Sequence, residues 1–323
     1  MFSKWTIAAF LGVVITSGFF AIRSIQDYKE DKYIIGILKS IDHGALDATA
    51  NGVITQLKKD LNNPKIIYES AQADNSLAQQ IVQKFIQQKV DCIVTIGTTV
   101  TQVAQQKTRN IPIVFASVTD PLGSGIVKDL NNPGDNVTGM SNFAPDITAK
   151  QFEFYKKLLP NLQTIGVIYN SGESNSVILL EKIKSEAKKY SIEIKEVVIQ
   201  NTNDAIFGVK SIVGSVDAIL IDNDNTALGA IKGIVDVALK ANLPVLCSDI
   251  DTIESGVLAA VGPDQYKLGE RGGEMVVEII RDKVDIGEMP VMFATDVKYV
   301  VNEKTAQKLQ ITIPDSVEIY QSK

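Results

Sequence analysis

Beyond residue 32 the chain alternates short runs dense in Ile and Val with longer segments whose apolar residues recur every three or four positions. That alternation predicts parallel strands joined by amphipathic helices that cover both faces of a sheet. Eight strands are predicted directly: Tyr33–Leu38, Lys65–Glu69, Cys92–Ile96, Ile113–Ala116, Thr164–Tyr169, Ile192–Ile199, Ala218–Ile221 and Val245–Ser248. Most are apolar at consecutive positions, as burial on both sides of a sheet requires.

The two halves repeat the same order of parts. Ile34-Ile35-Gly36-Ile37-Leu38 is answered by Thr164-Ile165-Gly166-Val167-Ile168, and Val90-Asp91-Cys92-Ile93-Val94 by Val216-Asp217-Ala218-Ile219-Leu220. Ile111-Pro112-Ile113-Val114-Phe115, leading to Thr119-Asp120, is answered by Leu243-Pro244-Val245-Leu246-Cys247, leading to Ser248-Asp249. A separation of about 130 residues is too long for a solenoid and fits two duplicated α/β lobes. In both halves polar residues gather after the strands, where ligands bind in parallel sheets. Two lobes whose polar edges face each other make a cleft.

The amino terminus departs from this pattern. Lys4 precedes an uncharged, mostly apolar run from Trp5 to Ile22, followed by Arg23 and the polar segment Asp27–Lys32. Residues 1–26 are therefore expected to be an export element, either a cleaved signal peptide or an uncleaved membrane anchor. An extracytoplasmic, periplasmic location follows. No cysteine lies near this segment, which excludes lipid attachment of the usual lipoprotein kind.

A net charge of -6, with no basic stripe, argues against nucleic acid as a partner. Cys92 and Cys247 fall in apolar runs of different lobes and are expected to be free, buried thiols. Together with the single histidine they show none of the short spacings of a zinc site, so no metal is expected.

The segments Ile96-Gly97-Thr98, Pro112–Phe115 with Val118-Thr119-Asp120-Pro121, Asn136-Val137-Thr138-Gly139, Gly166–Asn170 with Glu173 and Asn175-Ser176, and Gly256–Gly262 occur in that order. Through them the chain resembles the ABC transporter substrate-binding proteins of the aromatic amino-acid type, often labelled tryptophan or tyrosine transport binding proteins. The resemblance implies an α/β fold of two Rossmann-like lobes with parallel sheets, the type I periplasmic-binding-protein architecture, joined by three hinge crossovers. Mapped here, it implies lobe one over 33–140 and 266–290, and lobe two over 143–262 and 298–323. The crossovers would be 141–142, 263–265 and 291–297. It further implies a monomer that needs no cofactor, closes on a small solute, suspected to be an aromatic amino acid, and delivers it to an ABC permease with a cytoplasmic ATPase.

Candidate ligand contacts follow from the strand ends. Thr98 and Thr99 open a helix and suit a carboxylate, or act as ordinary caps. Asp120 resembles the family's T-D-P position and suits an ammonium, or simply turns the chain before Pro121. Tyr169, Asn170, Glu173, Asn175 and Ser176 resemble its Y-N-x-x-E-x-N-S segment. Asp222, Asn223 and Thr226 end the next strand and Asp249 the one after, and either carboxylate suits an ammonium. Ser141 and Asn142 mark the first crossover. His43 follows the first strand as a ligand contact or a loop histidine. An aromatic ligand would want a stacking partner, for which Tyr169 and Phe143 are the nearest candidates.

Two other functions compete. A cofactor-independent amino-acid racemase would pair two thiols across one carbon, but Cys92 starts its strand whereas Cys247 ends its own. No enzyme motif is present, and no catalytic role is expected. A membrane-anchored sensing ectodomain would use the same cleft, yet the chain is expected to carry no output module before Lys323. A DNA-binding regulator is set aside because an apolar segment stands where its helical unit would lie.

Overall fold

The computed structural model describes residues 33–144, 146–315 and 317. The expected export segment at 1–26 lies outside the described residues, among which no helix is long and apolar enough to cross a membrane. The first half runs β1 (Ile34–Lys39), α1 (Gly44–Asp60), β2 (Lys65–Ser70), α2 (Asn75–Gln87), β3 (Cys92–Ile96), α3 (Thr98–Lys107), β4 (Ile113–Val118) and β5 (Val137–Ser141). The second runs α4 (Ile147–Leu158), β6 (Thr164–Asn170), α5 (Ser174–Lys189), β7 (Glu193–Ile199), α6 (Thr202–Ile212), β8 (Ala218–Ile221), α7 (Asn225–Gly229), α8 (Ile231–Lys240), β9 (Val245–Cys247) and β10 (Ala259–Pro263). The chain then adds α9 (Gln265–Ile280), β11 (Met292–Phe293), β12 (Val297–Val301) and α10 (Glu303–Lys308).

These strands form two six-stranded sheets, ordered β11-β5-β4-β3-β1-β2 and β12-β10-β9-β8-β6-β7. The orders superimpose element for element, as the internal duplication requires. Among the described residues every pairing is parallel except β10 with β12. Double-sided burial explains the continuous apolar runs. On β1, Ile35 and Ile37 face α1 and α9, while Leu38 faces the α2 side, where Phe85 packs. The second sheet divides in the same way between the α6–α8 face and the α4–α5 face.

In each sheet the chain leaves the central strand, β1 or β6, and later returns on its other side with β3 or β8. Loops on either side of that reversal diverge and leave a crevice at the carboxyl ends of the strands. The helices that start there, α1, α3 and α5, have no side-chain cap on their first turn. By contrast α2, α6, α7 and α9 are capped by Asp74, Asn201, Asp224 and Asp264.

The connections between sheets are tighter than the sequence suggests. Ser141 is the last residue of β5, and Pro263 is the last of β10, paired with Val297. Met292 and Phe293, expected in a crossover, pair with Met140 and Ser141, so the third connection narrows to 294–296. Flanking hydrogen bonds from Val291 N to Leu130 O (2.7 Å) and from Ala294 N to Ser141 O (3.0 Å) hold that short strand in place.

α9 returns to the first sheet and is fixed there by direct backbone contact with α1. A Cβ on Gly269 would lie 2.1 Å from the Thr49 carbonyl oxygen, and one on Gly52 2.1 Å from that of Tyr266. Replacing either glycine must push the helices apart. Gly269→Ala is therefore expected to destabilise the protein by about 1–3 kcal/mol or more, the penalty of overpacking, read as a lower denaturant midpoint at unchanged m-value.

Candidate functional site

The carboxyl ends of the two sheets face each other around a narrow, polar cavity. An open groove flanks it on each side. From the first lobe come His43 and Leu46 at the start of α1, Thr98 at the start of α3, and Ser117 on β4; from the second come Asn175 on α5 and Asn223 after β8. The remaining wall is built by Asn142 after β5 and Gln265 at the start of α9, with Asn225 and Leu228 from α7.

Hydrogen bonds hold each wall. Glu173 accepts from the backbone N–H of Thr226 (3.0 Å) and its hydroxyl (2.8 Å), and from the backbone N–H of Asn225 (3.1 Å) and its amide (2.6 Å). Asn175 Nδ2 donates to the Asn223 carbonyl oxygen at 2.8 Å. Asn142 Nδ2 donates to Ser117 Oγ at 3.0 Å, and Ser117 Oγ donates to Gln265 Oε1 at 3.1 Å. Ser117 and Asn223 adopt positive φ values of 58° and 44°, an unusual conformation for serine, which turns both residues at the cavity wall.

Among the described residues, three polar contacts cross the cleft. His43 Nε2 lies 3.3 Å from Asn225 Oδ1, Lys182 Nζ lies 3.1 Å from Asp120 Oδ2, and Gln102 Nε2 lies 3.5 Å from Ser174 Oγ. Lys182 also sits 4.1 Å above the Phe143 ring. The lobes are closed on each other. The loop that carries His43 is anchored from behind by Lys39, which pairs with Asp42 at 2.8 Å and with Asp47.

Of the expected contacts, His43, Thr98, Asn142, Asn175 and Asn223 meet at the cavity. Thr99, Asn170, Glu173 and Thr226 line the adjoining groove, the last two locked into the Glu173 cluster. Asn170 serves as a loop staple, donating to Thr226 Oγ1 (2.9 Å) and accepting from Gly172 N (2.8 Å). Ser176 is buried beside Asn175.

The others stand elsewhere. Tyr169 points to the α4–α5 face of its sheet, following the two-residue period of the strand, and its hydroxyl donates to Glu196 at 3.0 Å. It does not line the cavity, and Phe143 lies beneath Lys182 instead. Asp120 accepts from Gly123 N at 2.8 Å and pairs with Lys182, so it turns the chain and bridges the lobes outside the cavity. Ser141 is wholly buried, donating to the Thr119 carbonyl and accepting from Phe143 N as a hinge staple. Asp249 caps the turn Ile250–Ser255 and lines a flanking groove. Asp222 sits behind the wall against Ser248 and Gln151, with Oδ2 unpaired.

Of the lining residues, sequence reasoning missed Ala45, Leu46, Ser117, Thr119, Asn225, Leu228 and Gln265. Asn225 could have been found, since it lies between two chosen residues in the polar run after β8. Gln265 enters from the second return of the chain and carries no local signal.

Burial governs the ionisation of this region. It pushes His43 down to about 4, so the imidazole is neutral at physiological pH. Burial also pushes Asp222 up to about 6 and Asp249 up to about 7. Burial, and then the charge of Glu173, raise Asp224 above the usual carboxylate range. Cys92 and Cys247 are free thiols in the cores of different sheets, each pushed up to about 12 by burial.

A two-lobed α/β protein closed over a small polar cavity is a solute-binding protein of the type I periplasmic-binding architecture. Residues 34–323 match the ABC transporter substrate binding protein family, and the chain belongs to it. A tyrosine-binding protein of Clostridioides difficile strain R20291 is 35% identical over 289 residues, covering 88% of this chain and 83% of the relative. The structure of an ABC domain in complex with L-Trp from Streptococcus pneumonia is 32% identical, with a TM-score of 0.85 over 89% of this chain and 97% of that one. The ligand-free, open structure of a substrate binding protein with adhesive properties from Clostridium difficile is 33% identical. Its TM-score is 0.67 over 90% of this chain and all of that one. The present closed arrangement is thus nearer the ligand-bound relative than the open one. Proteins of this family are extracytoplasmic.

Two predictions test this geometry. A folded pKa of about 6 against an ordinary 3.8 means that Asp222 takes up a proton on folding between those values. Its contribution to stability is greatest at low pH and is lost as pH rises through about 6. Asp222→Asn should therefore raise the melting temperature at pH 8, by the equivalent of about 3 kcal/mol at most, and the gain should vanish towards pH 4. Second, Lys182 reaches Asp120 across the cleft, a contact that needs the lobes shut, so Lys182→Met should weaken ligand binding about fivefold in titration calorimetry while leaving the melting temperature without ligand unchanged.

Proposed function

We propose that this chain captures an aromatic amino acid of the tyrosine or tryptophan kind in the interlobe cavity and presents the closed, loaded form to a membrane permease driven by a cytoplasmic ATPase. The observation that carries the reading is the cavity itself, enclosed between two hinged lobes and lined by polar side chains from both. The carboxylate would meet α3, whose first turn is uncapped and whose Thr98 lines the cavity. The side chain of the ligand would pack on Ala45, Leu46 and Leu228, the apolar part of the wall. Tyrosine and tryptophan binding by relatives more than 30% identical over most of this chain supports the ligand class.

The ligand leaves unchanged. Two neutral thiols buried in separate cores offer no acid–base pair, which supports binding without catalysis. The apolar segment within residues 1–26 would export the chain and either be removed or hold it at the membrane. The protein works as a monomer.

Thermal unfolding of the full chain with each common amino acid tests the reading. L-tryptophan or L-tyrosine at about 100 times its dissociation constant should add roughly 2.7 kcal/mol of stability, seen as a raised melting temperature, whereas L-aspartate and L-lysine should add none. A shift with neither aromatic amino acid would remove the proposed ligand class.

A further inference from the structure

A side-chain amide or a neutral imidazole can present either a donor or an acceptor, and its other partners decide which. Asn175 Nδ2 points at the Asn223 carbonyl oxygen, which can only accept, so its Oδ1 is left facing away from that bond. Asn142 Nδ2 points at Ser117 Oγ, whose proton goes to Gln265, so again Oδ1 remains. For His43 the chain of reasoning is longer. The Glu173 carboxylate takes the Asn225 amide nitrogen at 2.6 Å, which turns Asn225 Oδ1 to His43 Nε2. Nε2 therefore carries the proton and Nδ1 a lone pair.

His43 Nδ1, Asn142 Oδ1 and Asn175 Oδ1 are all shut off from solvent and without a hydrogen-bond partner. All three belong to residues lining one cavity, whose wall holds no carboxylate, lysine or arginine among the described residues. Buried polar atoms left unpaired are rare in native proteins, and three in one wall point to a ligand that donates. From this arrangement we propose that His43, Asn142 and Asn175 form an ammonium site, in which three neutral acceptors receive the three N–H bonds of a primary amine cation.

This deepens the amino-acid reading and rests on it. The acceptors are drawn from the first lobe, from the connection after β5 and from the second lobe, so all three reach the amine only when the lobes are shut. Recognition of the amine and closure are then one event. Neutral acceptors also avoid burying a second charge beside the ligand, at the expense of a weaker individual bond. Selectivity comes instead from the analogue that lacks the amine, which leaves three buried acceptors unpaired.

Titration calorimetry of the full chain with L-tryptophan and L-tyrosine, set against 3-(indol-3-yl)propionate and 3-(4-hydroxyphenyl)propionate, tests this directly because each acid lacks only the amine. The acids should bind at least ~100-fold more weakly. In Asn142→Leu that ratio should shrink about tenfold, and in Asn142→Asp, which keeps an acceptor oxygen, it should be retained. Acids binding within threefold of the amino acids overturn the ammonium site and leave the amino-acid reading standing. Failure of both amino acids to bind overturns that reading, and this assignment with it.

Discussion

The Glu173 carboxylate holds the cavity-facing wall of the second lobe together. It is buried, with no cation beside it among the described residues; four donors come from Asn225 and Thr226 at the start of α7, and Asn175 Nδ2 adds a longer one at 3.4 Å. These donors replace the water that burial removes. The loop after β6 is thereby tied to the loop after β8, and Asn225 is turned to meet His43 across the cleft. Remove the carboxylate and neither the position of α7 nor the direction of the Asn225 amide is defined.

The strength of the lobes and the weakness of the contact between them follow from where apolar surface is buried. Each sheet is covered on both faces by its own clusters, so each lobe is stable through its own core. Across the cleft lie a histidine–amide contact, a half-exposed ion pair and a long amide–hydroxyl contact. Such contacts contribute about 1 kcal/mol or less apiece. Closure is then balanced finely enough for a small solute to decide it, because a ligand shifts an equilibrium only by its difference in affinity for the two states.

The architecture was largely legible because double-sided burial writes apolar runs into the sequence, and because the duplication repeats them. What escaped was structure made by distant pairing. β5 and β10 are rich in small residues and carry Gly139 and Gly262, so neither reads as a hydrophobic strand. β11 is two residues long and exists through its pairing with β5. No local pattern marks such a strand, and the crossovers were accordingly drawn too wide.

The site was legible by place more than by residue. Polar loops after β1, β3, β6 and β8 were correctly expected to face one another, since parallel sheets leave their carboxyl ends free. Within those loops a reader of sequence favours the charged residues, Asp120, Asp222 and Asp249, for an ammonium. In the structure one bridges the lobes, one stands behind the wall and one caps a turn. Desolvation explains why. A carboxylate in this wall would need several donors of its own, as Glu173 has, and every donor turned towards it would be lost to the ligand. Asparagine avoids that conflict by donating into the wall and accepting from the cavity with the same side chain, so a dehydrated cleft favours the residues that sequence reading ranks as bland.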